Sequence, residues 1–152
     1  MAEKKILAVA SIGGHWIQLL RLTEALAGRY EIDFVSTHPK CATMVGGRKF
    51  DVVSDFSRWD AYKLFPAFFR ALKLVKASKA DVVISTGAAP GLVVILAAKL
   101  LGKRTIWVDS VANAAELSMC GRIASHIASR TYTQWPELAD GKKIVFAGNV
   151  IG

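Results

Sequence analysis

Lys5-Ile6-Leu7-Ala8-Val9-Ala10-Ser11-Ile12-Gly13-Gly14-His15 is the stretch that decides the fold. Ile6 to Ala10 is an unbroken apolar run of strand length, the kind found in strands covered on both faces. Two glycines follow at once, and then a segment from Gln18 to Leu26 whose apolar residues Leu19, Leu20, Leu22 and Leu26 have helical spacing. The alternation continues: strand Tyr30 to Ser36, a third strand at Asp51-Val52-Val53, a helix from about Ala61 to Ala77 and a strand Asp81 to Ser85. A helix Gly91 to Leu101, a strand Arg104 to Val108, a helix Gly121 to Ser129 and short strands at Thr131 to Thr133 and Lys143 to Ala147 complete the series. Strand, helix, strand in succession requires crossover connections and hence a parallel sheet. The expected class is α/β, an open doubly wound parallel sheet. No repeat, low-complexity tract or linker interrupts it, so residues 1–152 are read as one domain. Ligands of such sheets bind beyond the carboxyl ends of the strands, which directs attention to the loops after Ala10, Ser36, Ser85 and Val108.

Composition narrows the function classes. Hydrophobic residues are 53% and charged residues 21% of the chain, which excludes disorder. A formal net charge of +8 draws the molecule to phosphates, whether of nucleic acid, lipid headgroup or diphosphate ligand. No stacking motif or basic recognition helix accompanies that charge, so nucleic acid is not an expected partner. Cys41 and Cys120 are far apart and show no metal or redox spacing. Neither a metal nor a cofactor is expected. The N-terminus lacks the long apolar segment of a signal peptide, which predicts a cytoplasmic start. The most apolar stretch, Gly91 to Leu101, is about half a bilayer span and contains Lys99, so any membrane contact is expected to be peripheral.

Three loops carry candidate chemistry. Ser11, Gly13, Gly14 and His15 lie between a strand and a helix, where glycines admit a ligand to the backbone and the helix N-terminus favours negative charge. The spacing is that of neither the dinucleotide fingerprint nor the Walker loop. The loop is either an anion cradle or a tight turn without a ligand. Thr86, Gly87, Ala88 and Ala89, ahead of Pro90, repeat the design after another strand, and two such loops at one sheet edge can face one ligand. His15 is a candidate general base, with Asp109 and Glu116 of the third loop as other acid or base candidates; each has a plain alternative as a helix cap or solvated group. Trp59, Lys63, Phe65, Phe68, Phe69, Arg70, Lys73 and Lys76 mix aromatics with cations in one helical stretch, as an interfacial membrane helix requires, although core packing accounts equally well for the apolar face alone.

Taken in order, these motifs resemble a known family. The Ser-x-Gly-Gly-His loop with Leu20-Arg21-Leu22, Ser85-Thr86-Gly87-Ala88-Ala89-Pro90, Ile106-Trp107-Val108-Asp109-Ser110, Leu117 to Arg122 and Thr133-Gln134-Trp135-Pro136-Glu137-Leu138 are the matching pieces. They resemble the acceptor-side subunit of the two-component N-acetylglucosaminyltransferase of dolichol-linked oligosaccharide synthesis and its bacterial exopolysaccharide relatives. They are also similar to the N-terminal half of the transferase that forms lipid II. The resemblance implies a Rossmann-like domain, the N-terminal half of a GT-B fold. It implies an inverting glycosyltransferase subunit, active only as a heterodimer with a donor-binding subunit that holds a UDP-sugar. The acceptor would be a polyprenyl-diphosphate-linked sugar, with its diphosphate on the two glycine loops, at the cytoplasmic face of the membrane. The eukaryotic subunit begins with a membrane-spanning helix for which this sequence has no counterpart, which points to a bacterial origin and peripheral attachment. A different class of function stays open, a membrane scaffold that recruits the catalytic partner and supplies no catalytic group.

Overall fold

The computed structural model describes residues 4–56 and 58–150, with the side chains of Arg58, Trp59 and Ala61 left out. Seven parallel strands form one sheet: β1 (Lys5–Ala10), β2 (Glu31–Ser36), β3 (Phe50–Val52), β4 (Val82–Gly87), β5 (Arg104–Val108), β6 (Arg130–Thr133) and β7 (Ile144–Phe146). Four α-helices join them, α1 (Gly14–Glu24), α2 (Leu64–Ser78), α3 (Ala89–Leu100) and α4 (Met119–Ala124). The strand order is β3-β2-β1-β4-β5-β6-β7. From β1 the chain winds outward one way to β3, then returns to β4 and winds the other way to β7. The reversal lies between β1 and β4, and the crevice of a doubly wound sheet opens at such a point.

Alternation along the central strands sends side chains to two cores. Leu7 and Val9 face a cluster with Val35, Val83, Trp107 and the inner faces of α2 and α3. Ile6, Ala8 and Ala10 face the opposite cluster with Ile32, Phe34, Ile84 and Trp16 and Leu19 of α1. Trp16 is fully buried and sits edge-on to Phe34 at 5.8 Å and to Phe50 at 6.1 Å, which locks the first turn of α1 against β2 and β3.

Several expected boundaries move for identifiable reasons. Helix α1 starts at Gly14 rather than Gln18, because the glycines carry no apolar side chain to reveal the helical period. Helix α4 is short, Met119–Ala124 rather than Gly121 to Ser129: Ser118 caps its start by accepting from the Gly121 N–H, and beyond Ala124 the chain turns so that Ser129 can pair with Thr105. The expected helix from Ala61 divides into a kinked 3-10 turn, Arg58–Lys63, and α2, with Pro66 tolerated in the first turn. A second 3-10 turn, Pro39–Met44, follows β2, and none of its residues has the period of a predicted element.

Candidate functional site

The two glycine loops lie on either side of the reversal between β1 and β4. Ala10 pairs with Gly87 where the β1–β4 register shifts, and the Ser11 N–H donates to the Gly87 carbonyl at 3.1 Å. The Ile12 N–H donates to Thr37 Oγ1 at 2.9 Å, so the loop after β2 braces the loop after β1. Helices α1 and α3 therefore begin side by side at one edge. The first N–H groups of each have no partner within their helix, and each helix places partial positive charge there.

His15 and Thr86 tie the loops together reciprocally. Thr86 Oγ1 donates to the His15 carbonyl at 2.7 Å, and His15 Nδ1 lies 3.0 Å from the Thr86 carbonyl. A carbonyl only accepts, so Nδ1 is the donor of this pair and Nε2 is the ring nitrogen left for another partner. Gly87, at φ 125°, lies under the ring: a Cβ there would stand 2.5 Å from His15 Nδ1. Gly91 serves the same end of β4, since a Cβ on it would overlap Ser85 Oγ. By contrast, Cβ atoms built on Gly13 and Gly14 meet nothing within 4 Å, so the space above the start of α1 is open.

The residues expected to line a phosphate site thus divide in two. Gly13, Gly14, His15, Ala88 and Ala89 border the open space at the helix starts. Ser11, Thr86 and Gly87 are buried framework, Thr86 being only 1% exposed with its hydroxyl committed to His15.

The third loop is organised around a buried carboxylate. Asp109 is 2% exposed and receives Trp107 Nε1 at 3.1 Å, Asn113 Nδ2 at 3.3 Å, the Ser118 N–H at 2.9 Å and Ser118 Oγ at 2.6 Å. With both oxygens occupied by donors, Asp109 anchors the loop and offers no free lone pair toward the crevice. A Cβ on Gly121 would strike Asp109 Oδ1, so that glycine is the space the carboxylate needs. Burial, and then the Asp109 charge, push the Cys120 thiol above its usual range, which keeps it protonated and a poor nucleophile. Glu116 is exposed on the same loop.

Sequence reasoning missed Gln18 and Gln134 as members of this site. Gln18 Nε2 donates to Ser110 Oγ at 3.0 Å, its Oε1 accepts from the Val111 N–H at 3.0 Å and from Gln134 Nε2 at 2.7 Å, and Gln134 Nε2 also lies 2.9 Å from the Asp109 carbonyl. One buried amide pair thereby fixes α1, the loop after β5 and the loop after β6 in one arrangement. The available signal was a glutamine among the apolar residues on the buried side of α1.

Helix α2 packs on α3 and presents an apolar and cationic outer face. Phe65 is 70% and Phe69 60% exposed, with Tyr62 and Leu64 also outward and Arg70, Lys73 and Lys76 continuing the surface. Phe68 leaves the expected membrane set: it shares the helical phase of Ala71 and Val75 and packs against the core instead. Lys63 is half-buried at the foot of the helix, and the Trp59 side chain lies outside the described residues. No helix among the described residues is long and apolar enough to cross a membrane.

The model of the family described as Glycosyltransferase Family 4 matches residues 12–109, a span that includes the glycines of both loops and ends at Asp109. The chain is 25% identical over 179 residues to the UDP-N-acetylglucosamine transferase subunit ALG14 of Rattus norvegicus, covering 96% of this chain and 82% of that one. Its fold is shared with the crystal structure of Acinetobacter baumannii MurG at a TM-score of 0.81 and 18% identity, over 96% of this chain and 46% of that one. It is shared also with UDP-GlcNAc 2-epimerase from Methanocaldococcus jannaschii, at a TM-score of 0.72 and 16% identity, over 95% and 45%. The chain spans just under half the length of these two solved structures. The fold is thus the Rossmann-like half of a GT-B molecule.

Proposed function

The chain belongs to Glycosyltransferase Family 4, and on that premise we propose that it is the acceptor-binding and membrane-recruiting subunit of a two-component inverting glycosyltransferase. The reaction is transfer of a sugar from a UDP-sugar to a polyprenyl-diphosphate-linked acceptor, with the donor held by a partner subunit and residues 1–152 acting as one acceptor domain. The observation that carries this reading is the pairing of two helix starts at the β1–β4 reversal, held by the reciprocal His15–Thr86 hydrogen bonds. The acceptor diphosphate takes backbone N–H groups of Gly13, Gly14 and His15 from one side and of Ala88 and Ala89 from the other. Stabilisation of an anion at a helix start is worth about 0.3–1 kcal/mol on the surface and about 2 kcal/mol when partly buried, and here two starts act together.

The chemistry follows from the tautomer. Nδ1 of His15 is held as a donor, so Nε2 is the ring nitrogen left to accept a proton. As the acceptor hydroxyl oxygen attacks the anomeric carbon, the bond to UDP breaks, UDP leaves with the electron pair, and the hydroxyl proton passes to Nε2. Asp109 is not available for this step because donors occupy both its oxygens; Glu116, exposed on the same loop, is the other candidate carboxylate. The scaffold alternative assigns no step to His15, and the two readings separate on a single substitution.

One half of a GT-B cleft is one wall of the site. The purified chain alone is therefore expected to give no sugar transfer, and transfer is expected to appear when the product of the neighbouring reading frame is added with a panel of UDP-sugars. Robust transfer by the chain alone would overturn the two-component reading.

Peripheral attachment is assigned to the outer face of α2. Each cation near an anionic surface contributes about 1 kcal/mol, so reversing several removes most of the attraction. Lys63, Arg70 and Lys73 all changed to Glu should release the protein from phosphatidylglycerol vesicles in co-sedimentation. Unchanged sedimentation would mean that another surface attaches it.

A further inference from the structure

A groove of about 440 Å³ runs between α2, α3 and the segment leaving β3. We propose that it holds the isoprenoid chain of the acceptor next to the diphosphate. This inference rests on the acceptor-binding reading above.

The groove has the size range of small-molecule sites. Val52, Val53, Phe56, Ala67, Val93 and Val94 make its walls apolar. Pro90, in the first turn of α3, is part of its lining. Ala88 and Ala89, which immediately precede Pro90, border the proposed diphosphate site, so groove and anion site share the start of one helix. Two cations belong to the same lining, Lys63 and Arg70. Arg70 reaches across from α2 to within 3.4 Å of the Val52 carbonyl, placing its guanidinium over the groove. Its α2 wall, Lys63, Pro66, Ala67 and Arg70, comes from the same turns of chain that carry the exposed Leu64, Phe65 and Phe69.

The order of surfaces is therefore anion-binding helix starts, an apolar channel flanked by positive charge, and an aromatic face suited to a bilayer surface. A diphosphate joined to a branched hydrocarbon chain matches that order from head to tail. A bilayer phospholipid does not, because its phosphate stays at the bilayer surface and it offers no diphosphate to the start of α3.

Binding of inorganic, isopentenyl and farnesyl diphosphate to the full chain tests this. Each buried methylene is worth about 0.8 kcal/mol, so affinity should rise along the series and farnesyl diphosphate should bind at least about tenfold tighter than inorganic diphosphate. Ala67→Phe and Val53→Phe fill the groove from opposite walls. In either folded variant the ratio of farnesyl to inorganic affinity should fall to within about threefold. Equal affinities along the series in the unsubstituted protein would overturn the proposal whether or not the variants fold. So would a ratio that survives both substitutions. Failure to bind even inorganic diphosphate would remove the acceptor reading itself, and the groove's role with it. If the filled variants lose phosphatidylglycerol vesicles while the farnesyl ratio is unchanged, the groove takes a membrane lipid and the proposal fails.

Discussion

Replacing His15 with alanine is expected to lower turnover of the assembled enzyme by roughly a hundred- to ten-thousandfold, the usual cost of removing a general base. Partner assembly and UDP-sugar binding should be unaffected, because the ring lies over Gly87 and bonds to Thr86 within this chain. His15→Asn sharpens the test. An asparagine amide can still donate to the Thr86 carbonyl and keep the two loops joined, yet it offers no basic nitrogen where Nε2 stands. Low kcat with near-normal acceptor KM in that variant identifies the base, whereas recovery of turnover identifies a role confined to loop geometry. A loss under about tenfold in His15→Ala, well short of the expected range, would move the role to Glu116.

The second large effect belongs to Gly14. A Cβ at this position meets nothing within 4 Å and Gly14 lies in the first turn of α1, so Gly14→Ala should fold and melt like the parent. Gly14→Asp adds a carboxylate to the same open space, where the diphosphate is proposed to sit. Placing like charges together costs several kcal/mol, so acceptor affinity should fall by about a hundredfold or more. Titration of a soluble prenyl-diphosphate sugar into both variants, with thermal melts alongside, separates binding from folding. Parental affinity in a folded Gly14→Asp protein would place the diphosphate elsewhere.

Much of the architecture was legible because parallel strands covered on both faces read as bare apolar runs. Ile6 to Ala10 and Arg104 to Val108 correspond closely to β1 and β5 for that reason. Where side chains carry no periodic signal, the reading was displaced. The glycines hid the start of α1, and the short α4 ends in turns satisfied by serine hydroxyls. The site was legible only in outline. Loops after β1 and β4 could be chosen by their glycines, but their adjacency depends on the order of strands, which local pattern does not encode. The Gln18–Gln134 amide pair joins residues far apart in the chain; a glutamine on the buried side of α1 hints at Gln18, but no local pattern points to its partner. Asp109 looked like a catalytic acid at a strand end, and only the convergence of Trp107, Asn113 and Ser118 on it reveals an anchor. The stretch around α2 showed its composition but not its phase, so Phe68 could not be told from Phe65 and Phe69 until the helix was docked on α3.

Whether this chain is the acceptor half is tested most directly by equilibrium binding to the isolated protein of two ligands side by side, a prenyl-diphosphate-linked sugar and a panel of UDP-sugars. The two helix starts and the His15–Thr86 bridge predict saturable binding of the prenyl-diphosphate sugar that is lost in Gly14→Asp, and no binding of any UDP-sugar without a partner. Tight binding of a UDP-sugar to the isolated chain, with none of the lipid-linked sugar, would contradict the account.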